Sequence, residues 1–256
     1  MQFEHFPSLQ HIPNLRHAIT TRAGGVSRHE YASLNLGMHV GDELMDVREN
    51  RRLLGEAFGF DYLDMVCAQQ VHGAQVQVVT PEDRGRGARN WETAVAETDA
   101  LIVEDSQTPA LILVADCAPV LLVDEQHQIL AVVHAGWRGA VESIASKTLR
   151  RINQRAGSKS QSTLAGIGPC LCVECLEIGE EVAGQIPDPF IVRQPQWAKP
   201  HLDLRALIAY DLESAGVQSH HIEIIDECPR CRNEKYFSHR GQNGTAGRFG
   251  LVAWWE

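Results

Sequence analysis

Residues 110–139 read ALILVADCAPVLLVDEQHQILAVVHAGWRG, and the fold class turns on how this stretch is read. It holds three short apolar runs, 110–115, 119–123 and 129–133, rich in Val, Ile and Leu and separated by Asp116, Pro119 and the polar DEQHQ at 124–128. Runs of this length bounded by turn-forming residues are core strands buried on both faces of a sheet. A membrane span would need about 20 apolar residues, and Asp116 and Pro119 interrupt the longest candidate. From Gly139 the period changes. Val141, Ile144, Ala145, Thr148, Leu149 and Ile152 recur at helical spacing until Gly157 stops the run, which predicts an amphipathic helix. Outward from this centre, strands are expected at 101–103, 74–80, 63–70 and 15–21 on one side and at 164–167, 222–225 and 249–255 on the other. Helices are expected at 46–58 and 202–215. The glycine-containing polar segment 81–98 reads as a mobile loop. Strands interleaved with helices but often joined as hairpins predict an α+β fold, mixed β-sheets with helices packed on them, rather than a doubly wound sheet.

The chain has 256 residues, 23 basic and 33 acidic, for a formal charge of −10. That balance, with the basic residues scattered, argues against nucleic acid as a partner. No Pro/Gly/Ser-rich linker divides the sequence, so residues 1–256 are expected to form one domain. The N-terminus MQFEHFPSLQH has neither a basic opening nor an apolar signal core, so a cytoplasmic location is expected. Seven cysteines, an odd number, fit free thiols or metal ligation in a reducing compartment better than a closed disulfide framework.

Three strand ends carry metal-capable side chains next to small or turn residues: Gln70-Val71-His72-Gly73, Ala115-Asp116-Cys117-Ala118-Pro119 and Val133-His134-Ala135-Gly136-Trp137. Imidazole and thiolate are ligands that zinc prefers. A hairpin turning at Glu125–Gln126 would set Cys117 opposite His134, with Cα atoms about 4.5–5.5 Å apart. Nothing local forces His72 to join them. The same residues also allow a buried small cysteine beside hydrogen-bonded histidines, or a nucleophilic Cys117 with His134 as its base.

Taken together the motifs become specific. TTRAGGVS at 20–27, SLNLG at 33–37, Glu49-Asn50-Arg51, QVHG at 70–73, ADCAP at 115–119, HAGWRG at 134–139, GIGPC at 166–170, Asp203-Leu204-Arg205 and FSHR at 237–240 follow one another in order. The chain resembles the YfiH family, also called laccase-domain or multicopper polyphenol oxidase-like proteins and now regarded as purine nucleoside phosphorylases. The resemblance runs from about Leu15 to the C-terminus. It implies a catalytic zinc on His72, Cys117 and His134. It further implies phosphorolysis of adenosine, inosine and methylthioadenosine, with adenosine deamination as a second activity. Copper belongs to the older laccase reading, and hydrolytic editing of peptidoglycan precursors is another proposal for the family.

Three protein ligands leave the fourth tetrahedral position open, where water can be activated or substrate oriented. Asp116 is the candidate for proton transfer or for a hydrogen bond to a ligand histidine, though it is equally a turn-forming aspartate. Phosphate needs fixed positive donors. Arg22, beside Gly24-Gly25, and Arg51, on the inner helix face with Val47, are the candidate contacts, with a solvated face as the plainer alternative. Asn35 and His39 could hydrogen-bond ribose or base, or simply hold a turn. Trp137 could stack on purine or belong to the core.

Cys172-Val-Glu-Cys175 and Cys228-Pro-Arg-Cys231 give two pairs at C-x-x-C spacing, which suggests a four-thiolate structural zinc, a redox pair or free thiols. Three function classes follow. The first is a zinc-dependent purine nucleoside phosphorylase. The second is a cysteine-type hydrolase or precursor editor. The third, copper-dependent phenol oxidation, fits poorly with one histidine–thiolate cluster, because multicopper oxidases need several copper sites.

Overall fold

The computed structural model describes residues 1–256. At its centre Ala118–Asp124 pairs antiparallel with Ile129–Ala135, and every residue of both strands is buried. The pairing sets Ala118 against Ala135 and Asp124 against Ile129, two residues away from the expected register. The turn therefore spans four residues, Glu125–Gln128, and not two. Asp124 closes it by accepting the His127 backbone N–H at 3.2 Å. A shift of two preserves which face each side chain takes, so the expected core assignment survives. Cys117, however, lies one residue before the strand, and Pro119 stands opposite His134.

This hairpin sits inside a six-stranded mixed sheet in the order Ile222–Ile224, Leu164–Ile167, Ala118–Asp124, Ile129–Ala135, Ala100–Val103, Val76–Val79. A second sheet of five strands runs Phe3–Glu4, Leu15–Thr20, Phe249–Trp255, Ala110–Val114, Val66–Cys67. Alternation along the strands builds three cores. Leu121, Val123, Leu130 and Val132 face Ile112, Val114 and Leu251 between the sheets. Val120, Leu122, Ala131 and Val133 face outward onto Ile144, Leu149 and Leu207. Those residues belong to the helices Ile144–Ala156 and Leu204–Ser214. On the far side Leu111, Leu113, Val252 and Trp254 pack under Leu54 of the helix Leu44–Phe58. Both sheets are thus covered on both faces, which is why their strands read as continuous apolar runs.

Other differences have local causes. The helix expected from Gly139 is two, Trp137–Val141 and Ile144–Ala156, because Ser143 takes a left-handed conformation (φ 59°) between them. The strand expected at 63–70 is a sheet strand only over Val66–Cys67, followed by an isolated bridge from Ala68 to Val95. Beyond it the Gln70 side chain takes over, donating to the Leu113 carbonyl at 2.7 Å and accepting the Leu113 N–H at 2.8 Å. Residues 81–98, expected to be a mobile loop, hold two 3-10 turns, Pro81–Asp83 and Trp91–Thr93. They are pinned by Arg84 to Asp105 at 2.8 Å and to Thr108 at 2.8 Å. No helix is long and apolar enough to cross a membrane.

Candidate metal centre

The chain crosses between the two sheets at two corners of one end of the sandwich. Residues 115–117 link Ala110–Val114 to Ala118–Asp124, and residues 68–75 link Val66–Cys67 to Val76–Val79. Each corner is tight enough to force a non-glycine residue to positive φ, Asp116 at 101° and His72 at 60°. Such conformations persist only where the surroundings over-determine them, and they concentrate at functional sites. The corners carry Cys117 and His72. His134, near the end of the neighbouring strand, completes the group, and the ligand atoms of all three lie within 4.8 Å of one another.

Glycine is required beside them. A Cβ on Gly136 would stand 3.0 Å from Cys117 Sγ and 3.4 Å from His72 Cδ2, and one on Gly139 would stand 2.8 Å from the Gly73 carbonyl oxygen. The small residues of the 134–139 motif thus let its backbone close over the cysteine and the 70–73 turn.

Asp99, fully buried at the start of Ala100–Val103, orients the group. Its carboxylate accepts His134 Nδ1–H at 2.8 Å and the N–H groups of His72 at 3.0 Å and Gly73 at 2.9 Å. The bond to Nδ1 leaves His134 Nε2 for the shared centre. Burial opposes ionisation of Asp99, yet the His134 and backbone donors hold its carboxyl below the usual range. Burial also pushes the Cys117 thiol up, but the charge of His134 and hydrogen bonds from His134 and His72 outweigh it and draw the thiol down. In return, against its own burial, His134 is raised by the Cys117 thiolate and Asp99. Two imidazoles and a readily formed thiolate make a donor set that fits zinc, with one tetrahedral position not taken by protein.

A cavity of about 660 Å³ opens over the group. Apolar walls come from Leu113, Leu171, Leu176 and Leu204, and Trp137, Gln70 and His39 also line it. Burial and the nearby charges of Arg248 and Arg51 push the His39 imidazole down to about 4, so it is neutral near pH 7. Its ring packs on Trp91 with centroids 4.4 Å apart. Two guanidinium groups, Arg240 and Arg248, line the same cavity. Arg240 donates to the Cys175 and Glu177 carbonyls, and Arg248 to those of Ala246 and Gly247. Neither has a carboxylate partner within salt-bridge distance.

The structure thus gathers His72, Cys117, His134 and Asp116 at one cavity and leaves Arg22, Arg51 and Asn35 outside its wall. Arg51 is completely buried and donates to the carbonyls of Leu36 at 2.7 Å and Ala88 at 3.1 Å, with Gly87 as a further acceptor. Its helix-face spacing does direct it inward, but onto backbone. Arg22 donates to Ala32 and Asn233 carbonyls and lies 4.6 Å over the Phe237 ring. Asn35 accepts the N–H groups of Gly37 at 2.9 Å and Arg248 at 2.8 Å. It therefore sets the backbone from which Arg248 projects. Asp116 lines the cavity, and its carboxylate accepts the Ser238 hydroxyl at 2.6 Å and the Arg240 N–H at 2.7 Å. The hydrogen bond to a ligand histidine, one of its two expected roles, is made by Asp99. Sequence reasoning missed Asp99 and Arg248, and it quoted Gln70 and Arg240 within QVHG and FSHR without giving either a role. For Asp99 the available signal was an acidic residue directly preceding the wholly apolar Ala-Leu-Ile-Val.

Comparison with known proteins places the chain in a family. A purine nucleoside phosphorylase, YlmD, of Geobacillus stearothermophilus is 35% identical over 236 residues, covering 90% of this chain and 86% of that protein. A protein named adenosine deaminase RL5, from an unknown prokaryotic organism, is 34% identical over 90% of this chain and 89% of its own length. The crystal structure of the Geobacillus YlmD superposes with a TM-score of 0.91 at 32% identity, covering 96% of this chain and 93% of that one. The family model described as multi-copper polyphenol oxidoreductase laccase matches residues 16–256, and the chain belongs to that laccase-like, YfiH-type family.

Proposed function

We propose that the protein is a zinc-dependent purine nucleoside phosphorylase acting on adenosine, inosine and methylthioadenosine, with adenosine deaminase as a second activity. The observation that carries this reading is the convergence of His72, Cys117 and His134 within 4.8 Å at a cavity that also presents Arg240 and Arg248 without carboxylate partners. His72, Cys117 and His134 would hold the zinc ion, which would supply Lewis acidity to the bound substrate. The protein's own groups do the rest. Leu171, Leu176, Leu204 and Trp137 offer apolar surface for a purine. Arg240 and Arg248 take the place expected of Arg22 and Arg51 as phosphate contacts, since guanidinium suits bidentate phosphate binding. Asp116, at the cavity wall, is the carboxylate for proton transfer, and Asp99 keeps His134 in one tautomer. The relatives named phosphorylase and deaminase support the same pair of activities.

Product analysis of inosine with and without phosphate tests this. Hypoxanthine release should require phosphate and be abolished in Cys117→Ala. Release at the same rate without phosphate would overturn the reading.

One observation favours a second reading. Cys117, His134 and Asp99 stand in the order nucleophile, base, orienting carboxylate, with His134 Nδ1 bonded to Asp99 at 2.8 Å. That is the arrangement of a cysteine hydrolase. It predicts a covalent adduct on Cys117 and turnover that survives removal of metal and the His72→Ala substitution. Loss of all turnover on chelation would exclude it. Copper chemistry of the multicopper kind would need further histidine-rich sites, and the other cluster of possible ligands is cysteine alone.

A further inference from the structure

The four cysteines at C-x-x-C spacing take no part in the centre described above, yet the fold gathers them. Cys172 and Cys175 follow the strand Leu164–Ile167, and Cys228 and Cys231 follow Ile222–Ile224. Those strands are parallel neighbours, so both segments leave the sheet at the same end in the same direction. Topology thus unites residues as far apart in sequence as Cys172 and Cys231, 59 positions. Each motif is closed as a turn, Cys175 N–H to Cys172 O at 3.0 Å and Arg232 N–H to Cys228 O at 2.8 Å.

All four Sγ atoms lie within 4.8 Å of one another. Cys231 Sγ is 3.9 Å from that of Cys172 and 3.5 Å from that of Cys175. Four thiolates around one zinc ion, each at about 2.3 Å, have sulfurs about 3.8 Å apart. A disulfide needs about 2.05 Å and joins sulfurs in pairs, whereas Cys231 is near two partners at once. The mutual closeness of all four leaves room for a single ion and not for a two-iron cluster.

We propose that Cys172, Cys175, Cys228 and Cys231 form a closed, four-thiolate structural zinc site that clamps residues 168–179 to residues 225–248. Neither segment contains a helix or a sheet strand; apart from the clamp, Arg205 joins them by donating to the Cys170 carbonyl at 2.8 Å and the Glu227 carbonyl at 2.6 Å. Together they build one side of the cavity, Leu171 and Leu176 from the first, Arg240 and Arg248 from the second. Arg240 reaches across to the Cys175 and Glu177 carbonyls. With four protein ligands the ion has no open position, so its role is architectural.

The test isolates this site from the other. The His72→Ala/Cys117→Ala protein, with the first centre disabled, should retain about one zinc ion per chain by native mass spectrometry. Adding Cys172→Ser and Cys231→Ser should remove it. Cobalt substitution of the His72→Ala/Cys117→Ala protein should give the intense sulfur-to-cobalt bands of a tetrahedral thiolate site. That measurement decides the matter if the serine variant does not fold. A folded His72→Ala/Cys117→Ala protein without metal, a metal indifferent to the serine substitutions, an iron-coloured protein, or disulfides in the non-reduced mass would each overturn the proposal. None of these outcomes depends on whether inosine cleavage requires phosphate.

Discussion

Asp99 accepts hydrogen bonds from one ligand histidine side chain and from the backbone that carries another, so a single carboxylate fixes two of the three candidate ligands. Asp99→Asn removes the charge and leaves one carbonyl oxygen where two acceptor oxygens serve. Zinc affinity should fall about 10–100-fold, read by competition with a chromophoric chelator, and unchanged affinity would show that the ligands hold themselves. Arg248→Ala should raise the KM for phosphate about tenfold or more, since a charge-assisted contact is worth about 1.5–3 kcal/mol. An unaltered phosphate KM would remove Arg248 from the proposed anion site. Imidazole and thiolate at strand ends marked His72, Cys117 and His134 as candidates, and the family resemblance, more than their spacing, joined them into one set. Asp99 and Arg248 were not legible, because a carboxylate before a strand and an arginine near the C-terminus acquire meaning only from partners far away in sequence.

The helix Leu44–Phe58 shows the same limit one level up. Its spacing identified an inward face that includes Arg51 but could not say what that face meets. The answer is three carbonyls, of Leu36, Gly87 and Ala88, in two irregular segments. Arg51→Met should therefore act on stability, costing about 2–4 kcal/mol in urea unfolding through unsatisfied carbonyls and a packing defect. The phosphate KM of the folded fraction should stay unchanged, and a selective rise would return Arg51 to the binding machinery. The strands were read more securely, since a wholly apolar run has one stable environment, a sheet covered on both faces. Their register was not, because the hairpin turn depends on Asp124 bonding to His127, and composition does not distinguish that four-residue turn from a two-residue one.

At the scale of the molecule, the N-terminal segment straps the two-sheet sandwich together. Phe6 enters the core between the sheets, against Gly166 of the six-stranded sheet, where a Cβ would stand 2.6 Å from its ring. Ser8 N–H donates to Glu223 at 2.9 Å. His17, 3% exposed on the strand Leu15–Thr20, stacks on the Phe6 ring and accepts the Phe6 N–H on Nε2 at 3.0 Å, a bond that a proton on Nε2 would break. Burial, then the nearby His5, lowers the His17 pKa from 6.5 to about 4. The folded state therefore binds fewer protons than the unfolded chain between those values. Stability from this group is fully present above pH 6.5 and is lost as pH falls toward 4. The loss should reach about 2–3 kcal/mol. His17→Gln keeps an acceptor for the Phe6 N–H but does not titrate, so its unfolding free energy should fall less over the same window by about that amount. Subtracting the two curves cancels the carboxylates and metal ligands common to both proteins, and parallel curves would mean that the strap does not sense acid through His17.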